Sequence, residues 1–173
     1  MRNQRLLSLG WPAVLGGLFT LMVCLSFNAR AIATGADLTP AATLAAPPMP
    51  DAKRLYALGM IETGNDDGEV GGAGEISRYQ IHPTVWKVYS NSRDYRNPDV
   101  ALQVARLHWS YLAAYFKEKT GREANDFDMY VLWNTKYGYY AHKGFSPGHI
   151  SPVVQERAQR FVNLVNRKDY ASR

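Results

Sequence analysis

The chain has 173 residues, of which 46% are hydrophobic, 12% aromatic and 20% charged, so it can bury one sizeable core and is too rich in aromatics to be disordered. Its formal charge is +5, and removing residues 1–31 takes away three arginines and no acid, leaving +2. No basic run concentrates that charge, which excludes a charge-led case for nucleic acid as a partner.

The first segment, MRNQRLLSLGWPAVLGGLFTLMVCLSFNARA, sets Arg2 and Arg5 before an apolar run and ends in Ala29-Arg30-Ala31, a small-x-small pattern. This is the grammar of a secretory signal peptide over residues 1–31, and it implies export to the periplasm or cell envelope, or secretion. The apolar run also approaches the length of a membrane span. An uncleaved anchor is therefore the competing expectation, and it would be the chain's membrane contact. The only cysteine, Cys24, lies in that run, and Leu21-Met22-Val23 lack the small residue expected before a lipid-modified cysteine. The mature chain is then expected to lack disulfides, thiol nucleophiles and thiolate metal sites.

Residues 32–50 are rich in Ala, Pro and Thr, carry Asp37 as their only charge and read as a tether. Residues 51–173 are expected to form one mainly α domain. Asp51 caps a first helix with Leu55, Leu58, Gly59 and Glu62 on its inward face. His82-Pro83 opens a short helix through Val85, Trp86 and Val88. Asn97-Pro98-Asp99 starts the longest, striped by Val100, Val104, Leu107, His108, Tyr111, Leu112 and Tyr115 and stopping near Gly121. Asn125/Asp126 caps another, with Phe127, Tyr130, Val131 and Asn134 on one face. Ser151-Pro152 begins the last, striped by Val154, Ala158, Phe161, Val162 and Val165. The Gly-rich stretch 64–74 is expected to be a loop or a short β-hairpin.

Glu62 is the unusual residue, because it continues an apolar stripe. A carboxyl directed at the core resists ionisation and is equipped to donate a proton near neutral pH. Residues three and four positions away are Leu58, Gly59, Asn65 and Asp66, none of them a cation. The alternative, a glutamate at a helix end that turns to solvent, is open on spacing alone. Asp66, Asp67 and Glu69 belong to a polar turn, and N-D-D-G-E lacks the alternating register of a calcium loop. Glu75, thirteen residues after Glu62, is either a second catalytic carboxylate or an acid that orders the loop. His82, His108, His142 and His149 form no HxxxH or His/Asp cluster, so no metal site is expected.

Four blocks in order carry a resemblance. Ile61-Glu62-Thr63-Gly64 ends a helix, and Gly74-Glu75-Ile76-Ser77-Arg78-Tyr79-Gln80-Ile81-His82-Pro83 closes the glycine loop. Val131-Leu132-Trp133-Asn134-Thr135 and Glu156-Arg157-Ala158-Gln159-Arg160-Phe161-Val162 follow. Across nearly all of residues 51–173 this resembles the soluble lytic transglycosylase domain of the lysozyme-like superfamily. The family reads Glu-Ser-Gly, Gly-x-x-Gly-Leu-Met-Gln-Ile-x-Pro, Ala-Tyr-Asn-Ala-Gly and Glu-Thr-x-x-Tyr-Val at these places. Here Ser77-Arg78-Tyr79 replace Gly-Leu-Met, and Phe161 replaces a tyrosine whose hydroxyl in the family points towards the catalytic centre.

The resemblance implies a lysozyme-like helical fold of the goose-type lysozyme and lytic transglycosylase kind, with the Gly-rich loop beside the active site. It implies a monomer that acts on peptidoglycan glycan strands without a cofactor. Glu62 would be the catalytic residue, protonating the bond between N-acetylmuramic acid and N-acetylglucosamine, then taking the proton of the muramoyl 6-hydroxyl as a 1,6-anhydro ring closes. Gln80 and Asn134 would bind the N-acetyl groups or order the cleft. Glu75, Tyr79, Trp133 and Tyr137 complete the implied substrate-binding set, with Tyr139 and Tyr140 as further candidates for an aromatic sugar platform or for plain core. Two other readings stand beside it. One is a muramidase or chitinase-like hydrolase that uses Glu62 with Glu75. The other is a cell-wall-binding module that keeps the fold and does not cut.

Overall fold

The computed structural model describes residues 49–135 and 138–167, all within one compact unit, Leu44–Arg173. The expected signal segment, most of the tether and Tyr137 lie outside the described residues. The fold is mainly α: six helices, one 3-10 turn at Pro147–His149 and no strands among the described residues. None of these helices is long and apolar enough to cross a membrane.

Local chemistry sets where the helices begin. Helix α1, Ala52–Glu62, starts where the Asp51 side chain accepts the Arg54 N–H at 2.8 Å. Helix α2, Pro83–Tyr89, starts at His82, and α3, Pro98–Thr120, at Asn97, whose side chain accepts two backbone N–H groups. Gly121 ends α3 with a φ of 72°, the left-handed conformation that glycine adopts without a Cβ penalty. Helix α4, Asp126–Asn134, opens with a reciprocal capping box between Asn125 and Asp128. A four-residue helix, α5 at Tyr139–His142, precedes α6, Pro152–Asn166, capped by Ser151.

Helix α6 packs against α4 and α1, α4 also against α3, and α3 against α2. Trp86, Phe116, Tyr130, Phe161 and Leu58 fill the shared interior, each fully buried. Pro50 is buried too, and the Ser110 hydroxyl donates to the sulfur of Met49 at 2.8 Å. The last two residues of the expected tether therefore pack on the domain.

Two expected faces are corrected. Leu107 and Tyr111 of α3 are exposed, while Ala101, Ala105, Trp109 and Phe116 are buried beside Val104, His108 and Leu112. The inward face of α3 is therefore turned away from the stripe read from its large apolar residues, and small alanines share it with the bulky ones. On α2, Val88 faces solvent and Trp86 alone is buried, with its indole N–H on the Ser92 carbonyl at 2.9 Å. The Gly-rich stretch forms no hairpin: one isolated antiparallel bridge, Ile76 with Ile81, ties the loop just before α2.

Candidate active site

Glu62 is the last residue of α1, and the chain turns sharply after it. The N–H groups of Thr63 and Asn65 both reach the Gly59 carbonyl at 3.0 Å, and Gly64 is left-handed with φ of 71°. A Cβ on Gly59 would stand 2.0 Å from the Asn65 side-chain oxygen, so this glycine lets the Asn65 side chain lie directly against α1. The turn leaves Glu62 on the wall of an open cleft of about 840 Å³.

The Glu62 side chain is only 6% exposed. Burial pushes its carboxyl above the usual carboxylate range, and nearby Glu75 adds to that. The Tyr130 hydroxyl, the Arg157 guanidinium and the Asn134 amide oppose it, without reversing the direction. Tyr130 donates to Oε1 at 2.8 Å, and Arg157 approaches Oε2 at 3.3 Å. The expectation of a carboxyl without a cation holds for its own helix and fails in space, since α6 brings Arg157 from 95 residues away.

The cleft gathers Glu62, Glu75, Gln80, Trp133 and Asn134. Gln80 is held at a φ of 49°, a left-handed backbone that costs a non-glycine residue about 1–3 kcal/mol. Its side-chain oxygen and Glu75 Oε2 crowd the same spot, 2.2 and 2.4 Å from where a Gly71 Cβ would stand. Glu75 Oε2 also accepts the Ala73 N–H at 3.0 Å. Trp133 sends its indole N–H to the Tyr79 carbonyl at 3.1 Å, tying α4 to the loop and fixing the indole at the cleft edge.

Three aromatic candidates are not part of the cleft lining. Tyr79 is 4% exposed, packs in the core and does not line the cleft. Tyr140 is buried, with its hydroxyl on Asp128 at 2.8 Å, where Arg122 also binds. The Tyr139 hydroxyl accepts the Ser151 N–H at 3.1 Å. The turn acids sit apart from Glu62: Asp66 accepts the Gly68 N–H, and Asp67 forms a two-bond pair with Arg78.

Tyr130, Arg157 and His108 are the site residues that the sequence reading missed. His108 lines the cleft from α3, lies against Trp133 with ring centres 5.1 Å apart, and meets the Tyr89 hydroxyl at 3.3 Å. Burial lowers its pKa to about 4, so it is neutral near pH 7. Phe161, where the resemblance expects a hydroxyl, stacks on Tyr130, and the hydroxyl that meets Glu62 comes from α4.

The arrangement is one buried acid with a raised pKa, at the wall of a cleft with amide side chains and an indole. Such a group keeps its proton to higher pH than an ordinary carboxyl and can deliver it to a bound oxygen. No protein-family model, no curated protein and no solved structure matches the chain.

Proposed function

We propose that the protein is an exported peptidoglycan lytic transglycosylase of lysozyme-like fold. The observation that carries this is Glu62: a carboxyl 6% exposed, raised in pKa by burial, opening on a cleft that also holds Gln80 and Asn134. In this reading glycan strands lie in the cleft and Glu62 transfers its proton to the glycosidic oxygen as the C–O bond breaks. The muramoyl 6-hydroxyl then bonds to the anomeric carbon and returns its proton to the carboxylate. One residue serves as acid and base, so neither a second carboxylate nor a cofactor is required. Gln80, Asn134 and Trp133 position the sugars, the amides by hydrogen bonding and the indole by apolar contact. The N-terminal segment directs the chain to the periplasm or envelope, where it acts as a monomer.

Digestion of purified sacculi with the full chain, followed by mass spectrometry, tests this. Anhydro-muropeptides should form with wild type and not with folded Glu62→Gln. Undiminished release by that variant would end the idea.

A second reading is favoured by one observation, that Glu75 lines the same cleft and acts electrostatically on Glu62. Glu75 would then activate a water and the enzyme would be a hydrolase. Its products carry reducing ends, each one water heavier than the anhydro form, and Glu75→Gln would abolish them.

A further inference from the structure

We propose that Tyr130 and Arg157 divide the two oxygens of Glu62, so that the working proton is carried on Oε2 and Arg157 grips that oxygen once the proton has left. The inference rests on the lytic reading for its chemistry and on geometry for its parts. Tyr130 is fully buried and is not part of the cleft lining, so Oε1 faces the core. Arg157 lines the cleft with its side chain 34% exposed, so Oε2 faces the open side.

Tyr130 is a fixed donor. Burial, followed by the Glu62 charge, pushes its hydroxyl far above the ordinary tyrosine range, so it stays protonated. Its ring stacks on Phe161 at 5.4 Å, which fixes the direction of the hydroxyl. The nearby Arg157 charge opposes that shift without reversing it. Oε1 therefore receives a hydrogen bond in both protonation states, and the acid proton belongs on Oε2.

Arg157 distinguishes the two states. A guanidinium has only donors, so it cannot accept from an Oε2–H group. The acid form is then free to point its proton at a ligand oxygen in the cleft. As that proton moves to the glycosidic oxygen, negative charge grows on Oε2 beside the guanidinium, where a charge-assisted bond is strongest. When the 6-hydroxyl returns a proton to Oε2, the grip is released. Among the described residues, the other charged or titratable groups that line the cleft with Glu62 are Glu75 from the loop, His82 at the start of α2 and neutral His108 from α3. Asn134 adds a neutral donor from α4. Among the described cleft-lining residues Arg157 is the sole arginine or lysine.

The test follows the Glu62 carboxyl by NMR in the full chain labelled with carboxyl-13C glutamate, its signal assigned by its loss in Glu62→Gln. In Arg157→Gln the carboxyl should titrate at higher pH than in wild type, and Arg157→Lys should restore most of the difference. On sacculi, kcat of Arg157→Gln should fall roughly 10²-fold with KM little changed, and the alkaline limb of the pH profile should move up with the titration. Tyr130→Phe should move the titration in the same direction and serves should the arginine variant not fold. An unmoved titration in the folded variants overturns the proposal, as does a lost rate with an unmoved pH profile. Titration needs no substrate, so a wild type that cleaves no glycan would defeat the lytic reading while the carboxyl signal still decides whether Arg157 and Tyr130 each act on the Glu62 carboxylate.

Discussion

The Tyr130 ring lies on the Phe161 ring, 5.4 Å between centres and 28° from parallel, and this α4–α6 contact aims a hydroxyl at Glu62. Phe161 is fully buried and also meets Trp109 at 6.1 Å. Phe161→Ala should cost about 3–5 kcal/mol by emptying the space between the two helices. Urea unfolding measures the loss. The Tyr130 ring should gain freedom with it, visible as averaged aromatic NMR signals.

Glu62→Gln should be at least as stable as wild type at neutral pH. The folded-state pKa of Glu62 lies above its unfolded value, so between the two values the native protein holds the proton and the unfolded chain does not. Its contribution is complete below the unfolded pKa and is lost as pH rises through the folded one. The stability of the variant relative to wild type should therefore grow from acid to neutral pH. Denaturant melts of both proteins across that range test the sign, and a gap that shrinks with rising pH would contradict the buried carboxyl.

His108 acts in the opposite sense of pH. Its folded pKa of about 4 lies below the ordinary histidine value of 6.5, so the unfolded chain takes up a proton first as pH falls. Stability is present above the unfolded pKa and drains away as pH drops towards 4, by about 3 kcal/mol at most. His108→Gln should remove that part of the acid sensitivity. Melts at pH 7 and pH 4.5 for both proteins measure it as a difference of differences.

Gly71→Ala should impair the site without unfolding the domain. The added Cβ meets the side-chain ends of Gln80 and Glu75, which can swing aside, and no backbone atom is among the close contacts. Displacing two cleft groups by about 1 Å can cost roughly 10²-fold in rate. Sacculus digestion should show that loss with a melting temperature close to wild type.

Ser77 offers a gain. It is 1% exposed with a φ of 64°, a conformation costing a non-glycine residue about 1–2 kcal/mol. Its hydroxyl accepts only a long 3.4 Å bond from the Tyr79 N–H. Ser77→Gly should raise stability by about 1 kcal/mol, measured as a higher urea midpoint at unchanged slope.

Helix starts were legible because caps are local: Asp51, His82, Asn97, Asn125 and Ser151 each announce the helix that follows. The inward turn of Glu62 was legible for the same kind of reason, since it continues the stripe of Leu55, Leu58 and Gly59. The face of α3 was misread because Leu107 and Tyr111 look like core, whereas alanines at 101, 105 and 113 are the ones that are buried. Helix α5 has only four residues, too short for a period to show. The partners of Glu62 had no local signal: Tyr130 and Arg157 lie 68 and 95 residues away in sequence and meet it only through helix packing. Even so, a tyrosine on the apolar face of α4 was expected to point inward, and a buried hydroxyl needs a partner.

The sharp turn after Glu62 has an electrostatic consequence of its own. The carboxyl stands at the carbonyl end of an eleven-residue helix whose last turn contains no basic residue. The aligned peptide dipoles of α1 place partial negative charge at that end, which opposes a further negative charge there. The carbonyl end of α1 thus favours the protonated form. The same side chain at the first turn of a helix would be a weaker proton donor, even if burial were unchanged.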